Sequence, residues 1–229
     1  MGITPGTIEF ERNVLKLIRK GYPGLKWCEL GCQKDLRYNI PSRLVYKKLN
    51  VQHTSFDING KFGSIKFDLT KQLPVKFNSY FEVITDYGTL EHITNQYGAF
   101  KNIHGMCQVE GIMIHILPYL NNWENHGLFE YSPEFFKELS KLCNYDILKI
   151  EILDKNEYSS PYNLIAVALI KKKDNSFPPE RSFNKLDITK TNFLGLTEDY
   201  EKKGVYTLLS YLKTSLYALK WKLIDFSPS

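Results

Sequence analysis

The chain has 229 residues, a length that suits one domain with an extension. Hydrophobic residues make up 43% of the chain, which is enough to bury a core, and the formal net charge is +5. Residues 171–173 form the only dense basic run, and they follow an apolar segment. A nucleic-acid surface needs a basic face with interleaved aromatic residues, so we expect no nucleic-acid partner.

The four cysteines do not have the spacing of a zinc site. The spacing of Cys28 and Cys32 is not C-x-x-C, and no second close Cys or His pair completes a zinc set with them, Cys107 or Cys143. We therefore expect reduced, buried thiols. No charged-then-apolar leader is visible, and no apolar run approaches the roughly 20 residues that span a bilayer. These features predict a cytoplasmic protein with no membrane partner.

The pattern of apolar residues alternates between helical and extended segments along the chain. Helices are predicted over residues 8–20, 36–49 (with Pro41 as a start or kink), 93–107 and from Ser132-Pro133-Glu134 onward. Strands are predicted over residues 25–30, 51–56, 64–67, 79–85, 111–117, 145–153 and 164–170.

This order of strands and helices predicts an α/β fold with a mostly parallel sheet and helices on both faces. The last two strands are joined by a loop at residues 156–161 and look like a hairpin, which makes one strand antiparallel. The pattern breaks after Asp174, where Phe177-Pro178-Pro179 is typical of a linker. We therefore predict a domain over residues 1–173, with an N-terminal helix in residues 1–24, and a linker with a helical extension over residues 174–229.

An amphipathic helix is predicted over residues 200–222 of that extension. Its apolar positions can dock on the domain, cap the cleft or form a homodimer contact. All three alternatives remain open from the sequence.

Residues 27–34, Trp-Cys-Glu-Leu-Gly-Cys-Gln-Lys, carry the strongest functional signal. Glu29 lies at the end of an apolar run and Gly31 follows it, as at the carboxyl end of the first strand of an α/β protein that opens a cofactor cleft. The G-x-G-x-x-G pattern is absent, and its extra glycines are what allow backbone to approach a pyrophosphate. The pattern argues against a dinucleotide and favours a ligand without phosphates.

Four acidic residues close, or nearly close, predicted parallel strands: Glu29, Asp57, Asp68 and Asp86. We expect them to face one crevice, because the carboxyl ends of such strands meet at one edge. Clustered carboxylates need hydrogen-bond donors or a cation. S-adenosylmethionine supplies a sulfonium, an ammonium, two ribose hydroxyls and an adenine amine. Asp57 is placed to accept the ribose hydroxyls, and Asp68 with Leu69 to bracket the adenine.

Five segments give residues 25–171 a resemblance to the class I S-adenosylmethionine-dependent methyltransferases. They are Cys28-Glu29-Leu30-Gly31-Cys32-Gln33, Phe56-Asp57-Ile58-Asn59-Gly60, Phe67-Asp68-Leu69, residues 81–92 (Phe-Glu-Val-Ile-Thr-Asp-Tyr-Gly-Thr-Leu-Glu-His) and residues 111–118 (Gly-Ile-Met-Ile-His-Ile-Leu-Pro). The resemblance implies a Rossmann-like seven-stranded sheet with an antiparallel last strand. It also implies an S-adenosylmethionine cofactor.

The same resemblance implies which residues contact the cofactor. Glu29 and Gly31 would lie by the methionine part, Asp57 on the ribose, Asp68 and Leu69 by the adenine, and residues 86–88 near the transferred methyl. The full set is Glu29, Gly31, Cys32, Gln33, Asp57, Ile58, Asp68, Leu69, Asp86, Tyr87 and Gly88. Many members of the family carry a second glycine where this chain has Cys32.

A methyltransferase mainly aligns donor and acceptor, but a hydroxyl acceptor also needs a base, for which histidine is the usual choice. His126, His115 and His92 fall in the predicted crevice, and we favour His126 or His115 as the base. His92 follows Glu91, and this pair can be a base and its partner or can shape the cofactor pocket. The predicted substrate wall consists of Tyr87, Tyr119, Trp123 and Tyr131, together with His126.

The sequence lacks the signatures of two further classes of methyltransferase. A catechol-type enzyme needs a metal held by clustered acids and Asn, and Asp86 has no Asp-Asn partner nearby, so we predict no metal. A DNA base methyltransferase carries Asn/Asp-Pro-Pro-Tyr/Phe after the fourth strand, where this chain has Asp86-Tyr87-Gly88-Thr89.

The sequence therefore predicts a methyltransferase acting on a small-molecule or sugar-type acceptor, with transfer to oxygen. Similar bacterial proteins decorate surface saccharides or build secondary metabolites. The alternatives are an RNA or protein methyltransferase, whose acceptor binding weakens steeply with salt, a cofactor-binding module without catalysis, and a dinucleotide oxidoreductase.

Overall fold

A computed structural model of the chain describes residues 2–121, 126–154 and 162–191. The strands are β1 (Lys26–Leu30), β2 (Lys34–Asp35), β3 (Ile40–Pro41), β4 (Gln52–Asp57), β5 (Ile65–Lys66), β6 (Phe81–Tyr87), β7 (Cys107–Pro118), β8 (Phe129–Glu130), β9 (Tyr145–Leu153), β10 (Leu164–Lys171) and β11 (Thr189–Lys190). The helices are α1 (Pro5–Leu17), α2 (Ser42–Lys48), α3 (Gln96–Met106), α4 (Pro133–Cys143) and α5 (Glu180–Phe183).

Seven of these strands form one sheet in the order β5-β4-β1-β6-β7-β10-β9. The strands from β5 to β7 pair in parallel, and β10 is antiparallel to both of its neighbours. This arrangement confirms the predicted α/β class and the predicted antiparallel strand. The parallel strands all end at one edge of the sheet, which is where a doubly wound fold carries its site.

Helices cover the two faces of the sheet, and side chains alternate between them along each strand. On β1, Cys28 and Leu30 belong to the core formed with α3 and α4, whereas Trp27 belongs to the core formed with α1 and α2. Glu29 therefore points toward the α1/α2 face with Trp27. This alternation decides which strand-end residues can meet.

The structure shortens the second predicted helix and shows that Pro41 marks its start and not a kink within it. Residues 34–41 form the small antiparallel pair of β2 and β3, and α2 begins at Ser42 rather than at residue 36. Pro41 is the cause, because it lacks an N–H and pushes the residue before it into extended backbone. The α4 prediction is confirmed, and the Ser132 hydroxyl caps this helix by accepting a hydrogen bond from the Phe135 N–H at 3.0 Å.

Part of the predicted C-terminal extension packs on the domain. Phe183 of α5 is buried in the α3/α4 core, and Phe177 of the predicted linker contacts the same cluster. β11 pairs with β8 in an antiparallel bridge. The predicted helix over residues 200–222, with its possible homodimer contact, lies outside the described residues, as do Trp123 and the loop at 156–161. None of the described helices is long and apolar enough to cross a membrane.

A buried carboxyl group attaches α1 to the sheet. Glu11 is fully buried and accepts hydrogen bonds from three tyrosine hydroxyls, those of Tyr22 at 2.7 Å, Tyr46 at 2.8 Å and Tyr87 at 2.6 Å. Burial raises the pKa of Glu11, and the three hydroxyls partly offset that effect. Tyr87 was predicted as a substrate and cofactor contact, but its side chain is fully buried beneath α1. Side chains alternate between the two faces along β6, and Tyr87 falls on the face covered by α1. Its hydrogen bond to Glu11 therefore connects β6 to α1.

We expect Tyr87→Phe to lower the free energy of unfolding by about 1–3 kcal/mol, because it leaves a buried carboxyl without one of its donors. Urea unfolding followed by circular dichroism measures this change. Tyr80→Phe is the matched control, since Tyr80 is 38% exposed and directly precedes the same strand. Equal stabilities of the two variants would contradict the anchoring role of Tyr87.

Candidate functional site

The turn after β1 is joined to the turn after β4. Gly31 has a φ of 75°, in the left-handed region that favours glycine. Its N–H donates to the Phe56 carbonyl at 2.7 Å, and the Cys32 N–H donates to Asp57 Oδ2 at 2.8 Å. Two neighbouring strand ends are therefore held in one arrangement by backbone groups.

The loop after β6 closes on the same glycine. The Thr89 hydroxyl donates to the Leu30 carbonyl at 2.8 Å, and Gln33 Nε2 donates to that hydroxyl at 3.2 Å. A Cβ at Gly31 would lie 2.6 Å from Thr89 Oγ1 and 2.9 Å from Gln33 Nε2. Both the backbone conformation and the space at position 31 therefore require glycine.

Asp57 and Asp68 are the two predicted acidic contacts that remain partly exposed. Asp57 accepts from the N–H groups of Cys32 and Asn59, at 2.8 and 2.9 Å, and each carboxylate oxygen has a further lone pair. Asp68 Oδ1 accepts from the N–H and the hydroxyl of Thr70. Beside Asp57, Ile58 is 61% exposed. This edge offers free acceptors next to an accessible apolar side chain.

Glu29 is buried on the α1/α2 face of the sheet. Its Oε2 accepts from the Ser42 hydroxyl at 2.7 Å and lies 3.4 Å from His53 Nε2. Its Oε1 is equally buried and has no hydrogen-bond donor among the described residues. Glu29 therefore keeps one buried carboxylate oxygen that has no donor among the described residues.

Asp86 points to the opposite face and does not share a crevice with Glu29. In the register of β1 and β6, Leu30 lies opposite Asp86 and Glu29 lies opposite Thr85. Paired residues project from the same face of a sheet and successive residues from opposite faces, so Glu29 and Asp86 project from different faces. Asp86 Oδ1 accepts from the Thr89 N–H at 3.0 Å and from the Leu90 N–H at 3.3 Å. Glu29 and Asp86 thus do not converge as the sequence predicts, and Asp86 instead shapes the turn after β6.

His115 pairs with Asp86 inside the α3/α4 core. Its Nδ1 lies 3.2 Å from Asp86 Oδ2, and its ring packs between Phe100 and Phe136 with centroid separations of 5.7 and 5.5 Å. Burial raises the pKa of Asp86, and the contact with His115 partly offsets this effect. Since His115 is only 1% exposed, its geometry favours a packing role over that of a base for an acceptor.

The predicted tyrosine wall is also mostly internal. Tyr131 is fully buried, and its hydroxyl donates to Gln96 Oε1 at 2.8 Å. The Gln96 amide in turn donates to the Leu90 and Ile93 carbonyls at 2.7 and 2.6 Å. Tyr131 therefore supports the turn at Leu90–His92 from below. Tyr119 is half-buried and forms an isolated parallel bridge with Tyr131.

The two remaining histidines meet at that turn around a buried carboxylate. Glu91 Oε1 lies 3.4 Å from His126 Nε2 and 3.7 Å from His92 Nε2. The two imidazole rings contact each other edge to face, with centroids 4.9 Å apart. One ligand atom from each of the three residues lies within 4.8 Å of the others. Within the part of the chain that the structure describes, this is the group whose donor atoms could hold a metal ion.

The loop that carries His126 reaches Glu91 because Gly127 has no side chain. A Cβ at position 127 would lie 2.8 Å from Glu91 Cγ and 3.1 Å from the Glu91 carbonyl oxygen. The Leu128 N–H donates to that carbonyl at 2.7 Å, and the Thr191 hydroxyl donates to the Gly127 carbonyl. A backbone hydrogen bond from the loop itself and the side chain of Thr191 therefore hold the loop against Glu91.

The charges of this cluster follow from its burial. Burial acts to raise the pKa of the Glu91 carboxyl, but His126 and His92 more than offset it, so the pKa lies below its ordinary value. Burial lowers the pKa of His92, against the opposing effect of Glu91. The cluster at neutral pH therefore contains an ionised, fully buried carboxylate beside a neutral His92.

The set of candidate residues from the sequence did not include Glu91, Thr89, Gly127 or Ser42. From the sequence, Glu91 was considered only as the neighbour of His92. Two signals were nevertheless visible: Glu91 directly precedes His92, and Gly127 directly follows His126. Ser42 follows Pro41 at the start of a helix, a common position for a polar side chain. The contact of Thr89 with Gly31 had no signal in the sequence, because it joins the ends of two separate strands.

No protein-family model matches the chain, and no curated protein matches it either. Solved structures do. The 1,6-didemethyltoxoflavin-N1-methyltransferase of Burkholderia thailandensis, solved with 1,6-didemethyltoxoflavin and S-adenosylhomocysteine, is 10% identical with a TM-score of 0.56, over 72% of this chain and 77% of that chain. An S-adenosylmethionine-dependent methyltransferase of Mesorhizobium loti is 11% identical with a TM-score of 0.51, over 70% and 97%.

The cyclase SpnF is also similar, with 12% identity and a TM-score of 0.51 over 71% of this chain and 80% of that chain. Proteins of this shape therefore include one named for a reaction other than methyl transfer. At these identities the likeness concerns the fold, and function has to be argued from the site. The chain has the fold of the class I S-adenosylmethionine-dependent methyltransferases, as its sequence motifs predict.

Proposed function

We propose that this protein is an S-adenosylmethionine-dependent methyltransferase that acts on a small-molecule or sugar-type acceptor and transfers the methyl group to oxygen. The observation that carries the proposal is the joined edge of β1 and β4, where the left-handed Gly31 turn is bonded to the partly exposed Asp57 through the Cys32 N–H. Glycine at the first strand end and an acid at the second are the residues that the cofactor of this fold needs.

The residues at this edge fit S-adenosylmethionine in three respects. Glu29 Oε1, a buried acceptor that lacks a donor among the described residues, suits the ammonium of the methionine part. Asp57 retains lone pairs for the ribose hydroxyls. Exposed Ile58 and buried Leu69 provide apolar surface for the adenine. When bound, the cofactor supplies a methyl group on a sulfonium, which is an excellent leaving group.

The remaining task of the protein is to hold the acceptor and remove its proton. The Glu91–His92–His126 cluster is the best candidate, because it follows Thr89, the residue that packs on the Gly31 turn. A carboxylate and two imidazoles can take up the proton of a hydroxyl, or bind a cation that acidifies it. His115 is enclosed between Phe100 and Phe136, so we do not assign it this role.

Calorimetric titration tests the cofactor assignment. We expect S-adenosylmethionine and its demethylated product to bind to the wild-type protein with one site per chain. Asp57→Asn should weaken both affinities about tenfold or more, since the amide nitrogen cannot accept a hydrogen bond and a neutral amide oxygen is a weaker acceptor for the ribose hydroxyls than a carboxylate. Asp146→Asn is the control, because Asp146 is exposed on β9. Binding of neither compound to the wild type would overturn the proposal.

Gly31→Ala should weaken cofactor binding and also destabilise the fold. A left-handed conformation costs a non-glycine residue about 1–2 kcal/mol, and the new Cβ would force Thr89 and Gln33 away from the turn. Gly21→Ala is the matched control, since its Cβ would make only an ordinary 3.5 Å contact with Pro23. Thermal unfolding and calorimetry on both variants separate the two effects. Unchanged cofactor affinity in Gly31→Ala would remove this turn from the site.

Removal of the cluster histidines should abolish turnover while leaving cofactor binding intact. We expect His126→Ala and His92→Ala each to lower the rate of demethylated-cofactor formation by about 100-fold or more, the usual contribution of proton transfer. The assay uses a panel of hydroxylated small molecules and sugars with the wild type as reference. Turnover by His126→Ala equal to that of the wild type would exclude the cluster from acceptor activation.

A further inference from the structure

We propose that Glu91, His92 and His126 form a binding site for a divalent transition-metal ion of the Zn²⁺ or Fe²⁺ class. The inference concerns the protein alone and does not depend on the proposed methyl transfer. It departs from the sequence-based expectation of no metal, which considered only the surroundings of Asp86.

The first argument is the buried charge of Glu91. Its side chain is fully buried, and neither carboxylate oxygen has a hydrogen-bond donor at normal distance among the described residues. A carboxyl group in a protein interior is costly unless its oxygens are met by strong donors or by a cation. The two imidazoles stand 3.4 and 3.7 Å away, which is loose for that purpose.

The second argument is the geometry of the donor atoms. Metal–ligand distances of about 2.0–2.2 Å in a tetrahedral site place neighbouring ligand atoms about 3.3–3.5 Å apart. Glu91 Oε1 is 3.4 Å from His126 Nε2 and 3.7 Å from His92 Nε2. The two separations from Glu91 are close to those around a common ion, and all three ligand atoms lie within 4.8 Å of one another, so modest movement of the side chains would bring them onto one ion.

The third argument is the chemistry of the set. Two histidine nitrogens and one carboxylate oxygen are a recurrent ligand set of catalytic zinc sites and of non-haem Fe(II) sites. Three protein ligands leave at least one coordination position open. Mg²⁺ prefers an octahedral shell of oxygen ligands, so two imidazoles select against it.

The fourth argument is that the protein rigidly supports these ligands. The turn that bears Glu91 and His92 is held from below by the Gln96 side chain, which Tyr131 in turn orients. The loop that bears His126 is held by the Leu128 N–H on the Glu91 carbonyl, and glycine at position 127 allows this approach. Outer contacts of this kind orient the ligands of metal sites.

The alternative is a purely structural cluster, in which the histidines only neutralise Glu91. A metal site and a structural cluster would both bring Glu91, His92 and His126 together, but only the metal site would bind an ion. A structural cluster has no stoichiometric affinity for a transition metal. Metal binding by the isolated protein therefore separates them directly.

The test is titration of the chelator-stripped, cofactor-free wild-type protein with Co²⁺, followed by its visible absorption, and with Zn²⁺ in competition. We expect one Co²⁺ per chain, displacement by Zn²⁺ and no displacement by Mg²⁺. Glu91→Gln and His126→Asn should each weaken Co²⁺ binding about 100-fold or more, since each removes a ligand. Glu134→Gln should leave it unchanged, because that carboxylate is exposed on α4.

A second measurement covers the possibility that a ligand variant fails to fold. Zn²⁺ should raise the melting temperature of the wild type, because a ligand that binds only the folded state stabilises it. Gly127→Ala keeps all three ligands but should abolish most of this rise, since its Cβ would displace Glu91 from His126. Gly105→Ala is its control, with an ordinary 3.5 Å contact to Leu73.

Two results would overturn the proposal. One is the absence of stoichiometric Co²⁺ binding to the wild type. The other is wild-type Co²⁺ affinity in folded Glu91→Gln, which would place the ion elsewhere, for example on the cysteine thiols. Calorimetric titration of the same metal-stripped protein with S-adenosylmethionine distinguishes failure of the metal site from failure of the proposed methyltransferase.

Discussion

The loops that follow β1, β4 and β6 are joined by hydrogen bonds around Gly31, and each bond involves a backbone group at the end of β1 or in the turn after it. The Gly31 N–H bonds to the end of β4, the Cys32 N–H bonds to the Asp57 carboxylate, and the Thr89 hydroxyl bonds to the carbonyl of Leu30. Because these bonds use groups at fixed positions on neighbouring strands, the edge of the sheet is organised before any ligand arrives. Such preorganisation lowers the entropic cost of binding.

The alternation of side chains along the strands then divides the chemistry between two layers. Glu29 lies on the α1/α2 face, where Ser42 and His53 contact it, and Asp86 lies on the α3/α4 face with His115. Glu29 lies one position before the last residue of β1, whereas Asp86 is paired with that last residue, Leu30. The two carboxylates therefore project from opposite faces of the sheet. The same alternation places Tyr87 under α1, where it contacts Glu11. Glu91 lies beyond the end of β6, and the loop after Thr89 brings it to His126.

Much of the fold was predictable from the sequence because its signals are local. Apolar runs of strand length alternate with helical periodicity, and the resulting order specifies a parallel sheet with an antiparallel strand near its end. The Ser132-Pro133 start of α4 was also a local signal. Helical periodicity continues through residues 36–41, but the constraint of Pro41 overrides it, and α2 begins directly after this proline, which is one of the two outcomes predicted for it.

The site was less predictable because its contacts join residues far apart in the chain. Glu11 and Tyr87 are 76 positions apart, and Glu91 meets His126 only because Gly127 permits close approach. Periodicity places a histidine on a strand or a loop, but not its partners. His115 and His126 were therefore equal candidates in the sequence, whereas the structure encloses the first and brings the second to a buried carboxylate.

A crystal structure of the protein with S-adenosylhomocysteine tests the central claim most directly. We expect density for the amino-acid part against the Gly31 turn and for the ribose hydroxyls on Asp57, with the sulfur side open toward the Glu91–His92–His126 cluster. Density for the compound at any other edge of the sheet, or crystals that exclude it at saturating concentration, would contradict the account.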